Sequence, residues 1–332
     1  MMTLKPMHHS KSNLLASLVA LRLLTCGVNS GWAATPSLVT LVNPLQGTDS
    51  TRDFSHGNEY PAICLPFPMN TWAPYTQPER DSFYYQYRQT KIRGIRQTHQ
   101  PSPWIADYAT FSLMPVSGKL AVTEDERASD FRHDGEVVQP SYYRVRLDTW
   151  KATAEVTPTE RCARFRFTFE EAGDAYVVLD AFPRGSSVEI IPAENKIIGT
   201  TRYNHGGVPD NFTNCFVIVF DRPFAASGVW TPDSVQANAT KLNGKHVGAY
   251  VKFNAAVGEV VGCKVASSFI SPEQAQRNLQ REIGDADFDS IRRRAEQSWN
   301  EALGHALLFF GTAFHPRMAQ RFIPAKLLPG AA

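Results

Sequence analysis

Arg164-Phe-Arg-Phe-Thr-Phe169 places Phe165, Phe167 and Phe169 on one side of an extended chain and Arg164, Arg166 and Thr168 on the other. Side chains of a strand alternate between two faces, so this stretch reads as a β-strand with one face in a core. Outward from it the same period recurs. Tyr143, Val145 and Leu147 alternate with Arg144 and Arg146, and Ala152, Ala154 and Val156 repeat the pattern. Ala175–Leu179, Phe216–Phe220 and Val247–Phe253 add further strand-like runs, so the alternation extends from about residue 38 to 270. Gly173-Asp174, Gly206-Gly207-Val-Pro-Asp210 and Asn243-Gly244 supply connections between them. No amphipathic helical pattern interrupts this region, which argues against a parallel βαβ arrangement. The expectation is an all-β fold: a large antiparallel supersandwich of two packed sheets over residues 37–271.

Composition agrees and removes several functional classes. In 332 residues, 34 Lys and Arg balance 32 Asp and Glu, a net charge of +2 that offers no electrostatic pull on nucleic acid. A hydrophobic fraction of 43% excludes general disorder, and 11% aromatics favour strands. At Ser271-Pro-Glu273 the pattern turns helical: Ser271 can cap, Pro272 suits the first turn, and Gln274 stands where a capping-box partner belongs. Helices are predicted over Pro272–Ile283 and Phe288–Leu303, split by Gly284-Asp285, with Ile291, Ala295, Ser298 and Ala302 in register and Trp299 beside them. Residues 272–303 thus read as a helical linker. After Gly304 the pattern loses organisation, and 304–332 reads as an unassigned tail of the kind that truncation or a frameshift produces.

The other end reads as an export signal over residues 1–33. Lys5 and Lys11 precede the apolar run Leu14–Leu21, continued by Leu23 and Leu24, and Gly31-Trp-Ala33 presents small residues for cleavage. The run is too short for a membrane span, which needs about 20 apolar residues. The expected location is therefore periplasmic or extracellular. Of the cysteines at 26, 64, 162, 215 and 263, four remain after cleavage. They leave room for one or two disulfides and show no C-x-x-C spacing; Cys162 and Cys215 read as small buried hydrophobes.

The stretch richest in chemistry is Gln97-Thr-His-Gln-Pro-Ser-Pro-Trp-Ile-Ala-Asp-Tyr108. Two prolines push Gln100 and Ser102 toward extended backbone and stiffen the support of Trp104. An aromatic face with amides, an imidazole and a carboxylate nearby suits sugar recognition; a packed turn around a core Trp is the plainer alternative. G-x-S-x-G, H-E-x-x-H, Walker and G-x-G-x-x-G signatures are absent, and Glu124-Asp125-Glu126 reads as a charged turn.

Five blocks in order carry a resemblance. They are Leu41-Val-Asn-Pro-Leu-Gln-Gly-Thr48, Asn58-Glu-Tyr-Pro-Ala-Ile63, Pro66-Phe-Pro-Met-Asn70, Lys91–Tyr108 and Leu113-Met-Pro-Val-Ser-Gly118. Together with Ser298-Trp-Asn-Glu-Ala-Leu-Gly304 they resemble glycoside hydrolase family 92, the calcium-dependent exo-α-mannosidases, and the His-Gln-Pro-Ser-Pro-Trp form is most similar to the α-1,2-mannosidase branch. Pro68 and Ala109 stand where the family usually has Gly; at Ala109 this matters, because only Gly adopts a left-handed backbone cheaply.

The resemblance implies an N-terminal β-supersandwich, a helical linker and an (α/α)6-barrel that holds the acid, the base and the calcium ligands of an inverting hydrolysis. The barrel's course is not found after Gly304. No catalytic residue is therefore assigned, and no calcium is expected to bind this chain alone; the expected partners are α-linked mannose glycans and a barrel in cis. By the same resemblance Trp104 contacts the leaving sugar. His99, Gln100, Ser102 and Asp107 are the hydrogen-bonding or loop-bracing residues around it, and Tyr108 is a core brace. His56 and Asn58 join the site from the first block with Gly47 and Thr48; for Gly47 and Asn58, turn geometry explains the residue equally well. Asp49, Asp53 and Glu59 read as solvated turn carboxylates, since no D-x-D-x-D-G loop is present. An active calcium-dependent α-mannosidase and a free-standing carbohydrate-binding or structural module are the alternative readings.

Overall fold

The computed structural model describes residues 37–49, 59–78, 85–99, 107–204 and 206–313, with side chains to residue 305. Strands are numbered along the chain. One sheet has seven, in spatial order β1 (Thr71–Tyr75), β3 (Gly94–Thr98), β4 (Ser112–Ser117), β10 (Gly173–Asp180), β17 (Gly248–Ala255), β14 (Ala226–Thr231) and β15 (Ser234–Ala237). The second has nine: β16 (Lys241–Gly244), β11 (Ser186–Ile191), β12 (Lys196–Thr201), β13 (Asn214–Phe220), β18 (Glu259–Ser268), β9 (Cys162–Phe169), β8 (Ala152–Pro158), β7 (Tyr142–Leu147) and β6 (Glu136–Gln139). A small ladder joins β2 (Lys91–Ile92) to β5 (Ser129–Asp130). All these pairings are antiparallel, as the alternation predicted.

The inner faces of the two sheets meet in one core. Phe165, Phe167 and Phe169 are all buried there. Trp72 packs edge-on against Phe165 at 5.1 Å and Phe111 at 5.9 Å, while Phe111 stacks on Phe216 at 4.4 Å. The opposite face of β9 is only partly open to water. Arg166 lies 4.2 Å over the ring of Phe288 and pairs with Glu155 at 2.6 Å, and Arg164 pairs with Asp221 at 2.6 Å. Helices pack on part of that outer surface, and their own apolar stripes close a second cluster of Cys162, Val217, Ala266, Ala275, Leu279, Ile283 and Ile291.

Those helices are α2 (Pro272–Glu282) and α3 (Phe288–Ala313), after a single-turn α1 (Glu124–Arg127). The helix predicted to stop at Leu303 runs ten residues further. Gly304 costs about 1 kcal/mol in a helix interior, but Ala302, Leu303, Ala306 and Leu307 around it are strong helix formers. The disorganised tail therefore does not begin at 304. Ser271 caps α2 as expected, accepting from the Gln274 N–H at 3.2 Å, yet the Gln274 side chain turns forward to donate to Asn278 Oδ1 at 2.9 Å instead of completing a box. A complete capping box forms at α1, between Thr123 and Glu126, where only a charged turn was expected. Asn243-Gly244 is part of β16 and not a connection.

The start of the described chain is strapped to α3. Ser37 Oγ donates to Glu296 Oε1 at 2.5 Å, and Asn300 Oδ1 accepts from Val39 N–H at 3.0 Å. Trp299 Nε1 donates to the Cys64 carbonyl at 2.6 Å. The four described cysteines are free thiols, with burial pushing Cys64 up to about 11 despite its hydrogen bond with Thr71. Residues 1–36 and 314–332, and with them the export signal, lie outside the described residues.

Candidate functional site

β3 ends at Thr98 and delivers His99 to one end of the sandwich, where β18 ends at Ser268 and the β12–β13 connection passes. Four polar side chains fasten this end from inside. Gln97 Nε2 donates to Ser267 Oγ at 2.7 Å, Asn70 Nδ2 donates to the same hydroxyl at 2.8 Å, and Asn214 Nδ2 donates to Gln97 Oε1 at 3.0 Å. All four residues are fully buried. Asn70 and Gln97 stand inside motif blocks, but Asn214 and Ser267 come from distant strands, and their spacing in sequence carries no signal that they meet.

Above this network sit the two described site residues of the Pro-rich stretch. His99 Nδ1 donates to the Tyr108 carbonyl at 2.9 Å, and its ring stacks on Tyr108 with centroids 5.1 Å apart and planes 9° from parallel. Asp107 accepts the His99 N–H at 3.2 Å and the Tyr108 N–H at 2.7 Å. Phe269 and Phe212 complete an aromatic group around Tyr108. Burial, and to a lesser degree the Asp107 charge, raise the Tyr108 phenol above its ordinary range. Ala109 does take the left-handed backbone, with φ +55°; its carbonyl accepts from Asn214 Nδ2 at 2.9 Å, which fixes the chain in that strained state. Gln100, Ser102, Trp104, His56 and Asn58 lie outside the described residues, as does Asp53.

The first block forms a tight turn. Gly47 has φ +80°, a backbone that favours glycine, and a Cβ there would stand 2.6 Å from Glu59 Oε2, the end of an exposed side chain that can swing aside. Thr48 Oγ1 donates to the Leu45 carbonyl at 2.7 Å. Asp49 pairs with Arg88 at 2.9 Å on the surface. Beside this turn a cleft of about 330 Å³ is lined by Asn43, Gln46, Glu59, Tyr60 and Trp299.

Four buried carboxylates are each committed to holding the fold. Asp107 serves backbone amides; Glu136 accepts from Tyr143 at 2.6 Å and faces His133 at 2.8 Å. Glu155 accepts from Tyr142 at 2.5 Å and from Arg166. Asp180 accepts from Arg127 at 2.8 Å and from His246 Nε2 at 2.8 Å. Among the described residues, no three His, Cys, Asp or Glu side chains converge as a metal-binding group.

The class this defines is a two-sheet antiparallel β-supersandwich backed by two helices. The glycosyl hydrolase family 92 N-terminal domain matches residues 41–268. The chain belongs to glycoside hydrolase family 92. An inverting mannosidase of this family from Bacteroides thetaiotaomicron shares 44% identity and a TM-score of 0.78, over 81% of this chain and 36% of its own. A family 92 α-mannosidase from the same organism shares 25% identity and a TM-score of 0.72, over 81% of this chain and 38% of its own. A protein described as an uncharacterized secreted glycosidase, from Arthroderma benhamiae, is 23% identical over 329 residues, which is 83% of this chain and 42% of that protein. The chain thus spans well under half the length of the relatives it matches.

Proposed function

We propose that this chain is the N-terminal, carbohydrate-contacting part of an exported α-1,2-mannosidase-like glycoside hydrolase acting on mannose-containing glycans, and that it does not cleave them alone. The observation that carries this reading is the match of residues 41–268 to the family's N-terminal domain, with 44% identity to an inverting mannosidase. Inverting hydrolysis needs one carboxylic acid to protonate the leaving oxygen. A second carboxylate, about 6.5–9.5 Å away, activates water. The four buried carboxylates described above accept hydrogen bonds from amides, tyrosines, arginines and histidines of the sandwich, so their lone pairs already serve the fold. The acid, the base and the calcium site belong, on this reading, to a helical barrel in cis. Residues 37–271 act as the sandwich and 272–303 as the first part of the linker, which α3 extends. Export is supported by the N-terminal pattern and by the secreted relative.

Calorimetric titration with α-1,2-mannobiose, wild type against Trp104→Ala, tests the contact. One stacking face is worth about 1–2 kcal/mol, so millimolar binding that weakens in the variant is expected. Release of p-nitrophenol from a p-nitrophenyl α-mannoside with added calcium, abolished by mutating a carboxylate of residues 41–304, would overturn the inactive reading.

A further inference from the structure

Three segments that stand out in the sequence, around Asn43, Tyr60 and Trp299, meet with Pro140 at the cleft of about 330 Å³. Its walls are fixed without a ligand. Ser37 and Val39, just before Val42, are tied to α3 through Glu296 and Asn300. The Trp299 Nε1–H is held by the Cys64 carbonyl at 2.6 Å, and the Cys64 N–H donates to the Pro140 carbonyl at 2.8 Å. On the other side the turn is closed by the Gln46 N–H, which donates to the Asn43 carbonyl at 3.2 Å, and the Glu59 N–H reaches the Gly47 carbonyl at 3.3 Å. A concave, pre-formed cleft is the usual form of a small-molecule site. This one lies at the small end of the range such sites span, about 300–1,000 Å³, and suits a single ring better than a chain.

The lining divides into two parts. Val42, Pro44, Ala62, Pro140 and the indole of Trp299 make an apolar wall, and Asn43, Gln46 and Glu59 make an exposed polar rim. Asn43 Oδ1 is taken by the Leu45 N–H at 3.1 Å, which leaves its Nδ2 donors. The Gln46 amide and the Glu59 carboxylate have no hydrogen-bond partner among the described residues. Donors and acceptors therefore stand together beside an apolar surface, and among the described residues no Lys, Arg or His lines the cleft to attract an anion. A sugar ring has the matching two-sided chemistry: C–H bonds on its face, and hydroxyls around its edge that both donate and accept. We propose that this cleft binds one neutral hexose unit, its C–H face toward the Trp299 wall and its hydroxyls on Asn43, Gln46 and Glu59. An organic cation would use the carboxylate and the indole and leave both amides without a role. The site goes beyond the contact proposed above and does not need it, since none of these residues belongs to the Pro-rich stretch; the family supplies only the choice of mannose as probe.

The test titrates methyl α-mannoside into the full chain and follows the Trp299 indole N–H by NMR, its resonance assigned with Trp299→Phe. That resonance should move with a dissociation constant in the millimolar range. Glu59→Ala and Gln46→Ala both alter exposed side chains, so neither removes a buried contact. Glu59→Ala should weaken binding about tenfold, because a hydrogen bond to a carboxylate is charge-assisted, and Gln46→Ala should weaken it less. The shift should persist in Trp104→Ala; its disappearance there would overturn a separate site, while its persistence keeps this result apart from the contact tested above. A Trp299 resonance that never moves with the mannoside, or equal affinity in wild type and both rim variants, would overturn the proposal. So would a response to tetramethylammonium chloride with none to the sugar, which would make the cleft a cation site.

Discussion

At Gly47 the turn of the first block holds the backbone in the left-handed region. Any side chain there takes φ +80°, while the exposed Glu59 carboxylate it would meet can move away. Gly47→Ala is expected to cost about 1–3 kcal/mol, read as a fall in the urea midpoint with an unchanged m-value. A neutral outcome would return Gly47 to the candidate site residues. Asp180 and His246 set a different dependence, on pH. Burial alone would raise the Asp180 pKa, but the Arg127 guanidinium and the His246 imidazole hold it well below the usual carboxylate range. Burial likewise opposes the charge on His246, and Asp180 outweighs it and raises the pKa above 6.5. The His246 contribution is therefore complete below about pH 6.5 and lost as pH rises through the folded value; the Asp180 contribution is present above about pH 4 and lost on acidification. Melting temperature should decline from pH 6 toward 9, and His246→Asn should flatten that alkaline limb. An identical slope in the variant would show that other groups set it.

Among the elements, α3 is the one whose position depends on contacts far away in sequence. Its middle turn is tied by Asn300 to Val39 and Ser37 and by Trp299 to Cys64, contacts spanning more than 230 residues. These two residues belong to the last family block, and the strap explains their chemistry: an amide that both donates and accepts, and an indole that donates over a packed face. Asn300→Ala should leave the Val39 N–H without its acceptor, lower stability by about 1–2 kcal/mol and speed amide exchange in α3 more than in α2. Equal exchange in both helices would mean that packing on the sheet alone holds α3. The strands were legible because each alternates against a single core. The helix boundary at 313 was missed because one Gly weighs heavily in a local reading and lightly within a helix that is packed over its earlier turns.

Over the whole molecule, apolar surface is exposed at the end where Asn70, Gln97, Asn214 and Ser267 join in one buried network. Phe67 is 92% exposed, Ile270 79% and Phe269 36%. Their segments flank one turn, since Asn70 N–H donates to the Glu160 carbonyl at 3.1 Å and Ser267 N–H to that of Arg161 at 3.2 Å. Exposed apolar patches favour association. The chain is expected to elute with a mass that rises with concentration in chromatography with light scattering, and Phe67→Ser with Ile270→Ser should shift it toward monomer. A concentration-independent monomer for the unaltered chain would refute this. Sequence alone determined the all-β class, the antiparallel pairing, the helical segment that follows and the family, because alternation, caps and ordered motif blocks are local signals. Only the tertiary structure decided that His99 and Asp107 bond to the backbone of residues 99 and 108, that Asn214 and Ser267 join Asn70 and Gln97 in one buried network, and that Arg166 of β9 lies over Phe288 of α3. Those facts depend on which distant strands become neighbours, and the burial and hydrogen bonds that fix them exist only once both sheets have closed on their core.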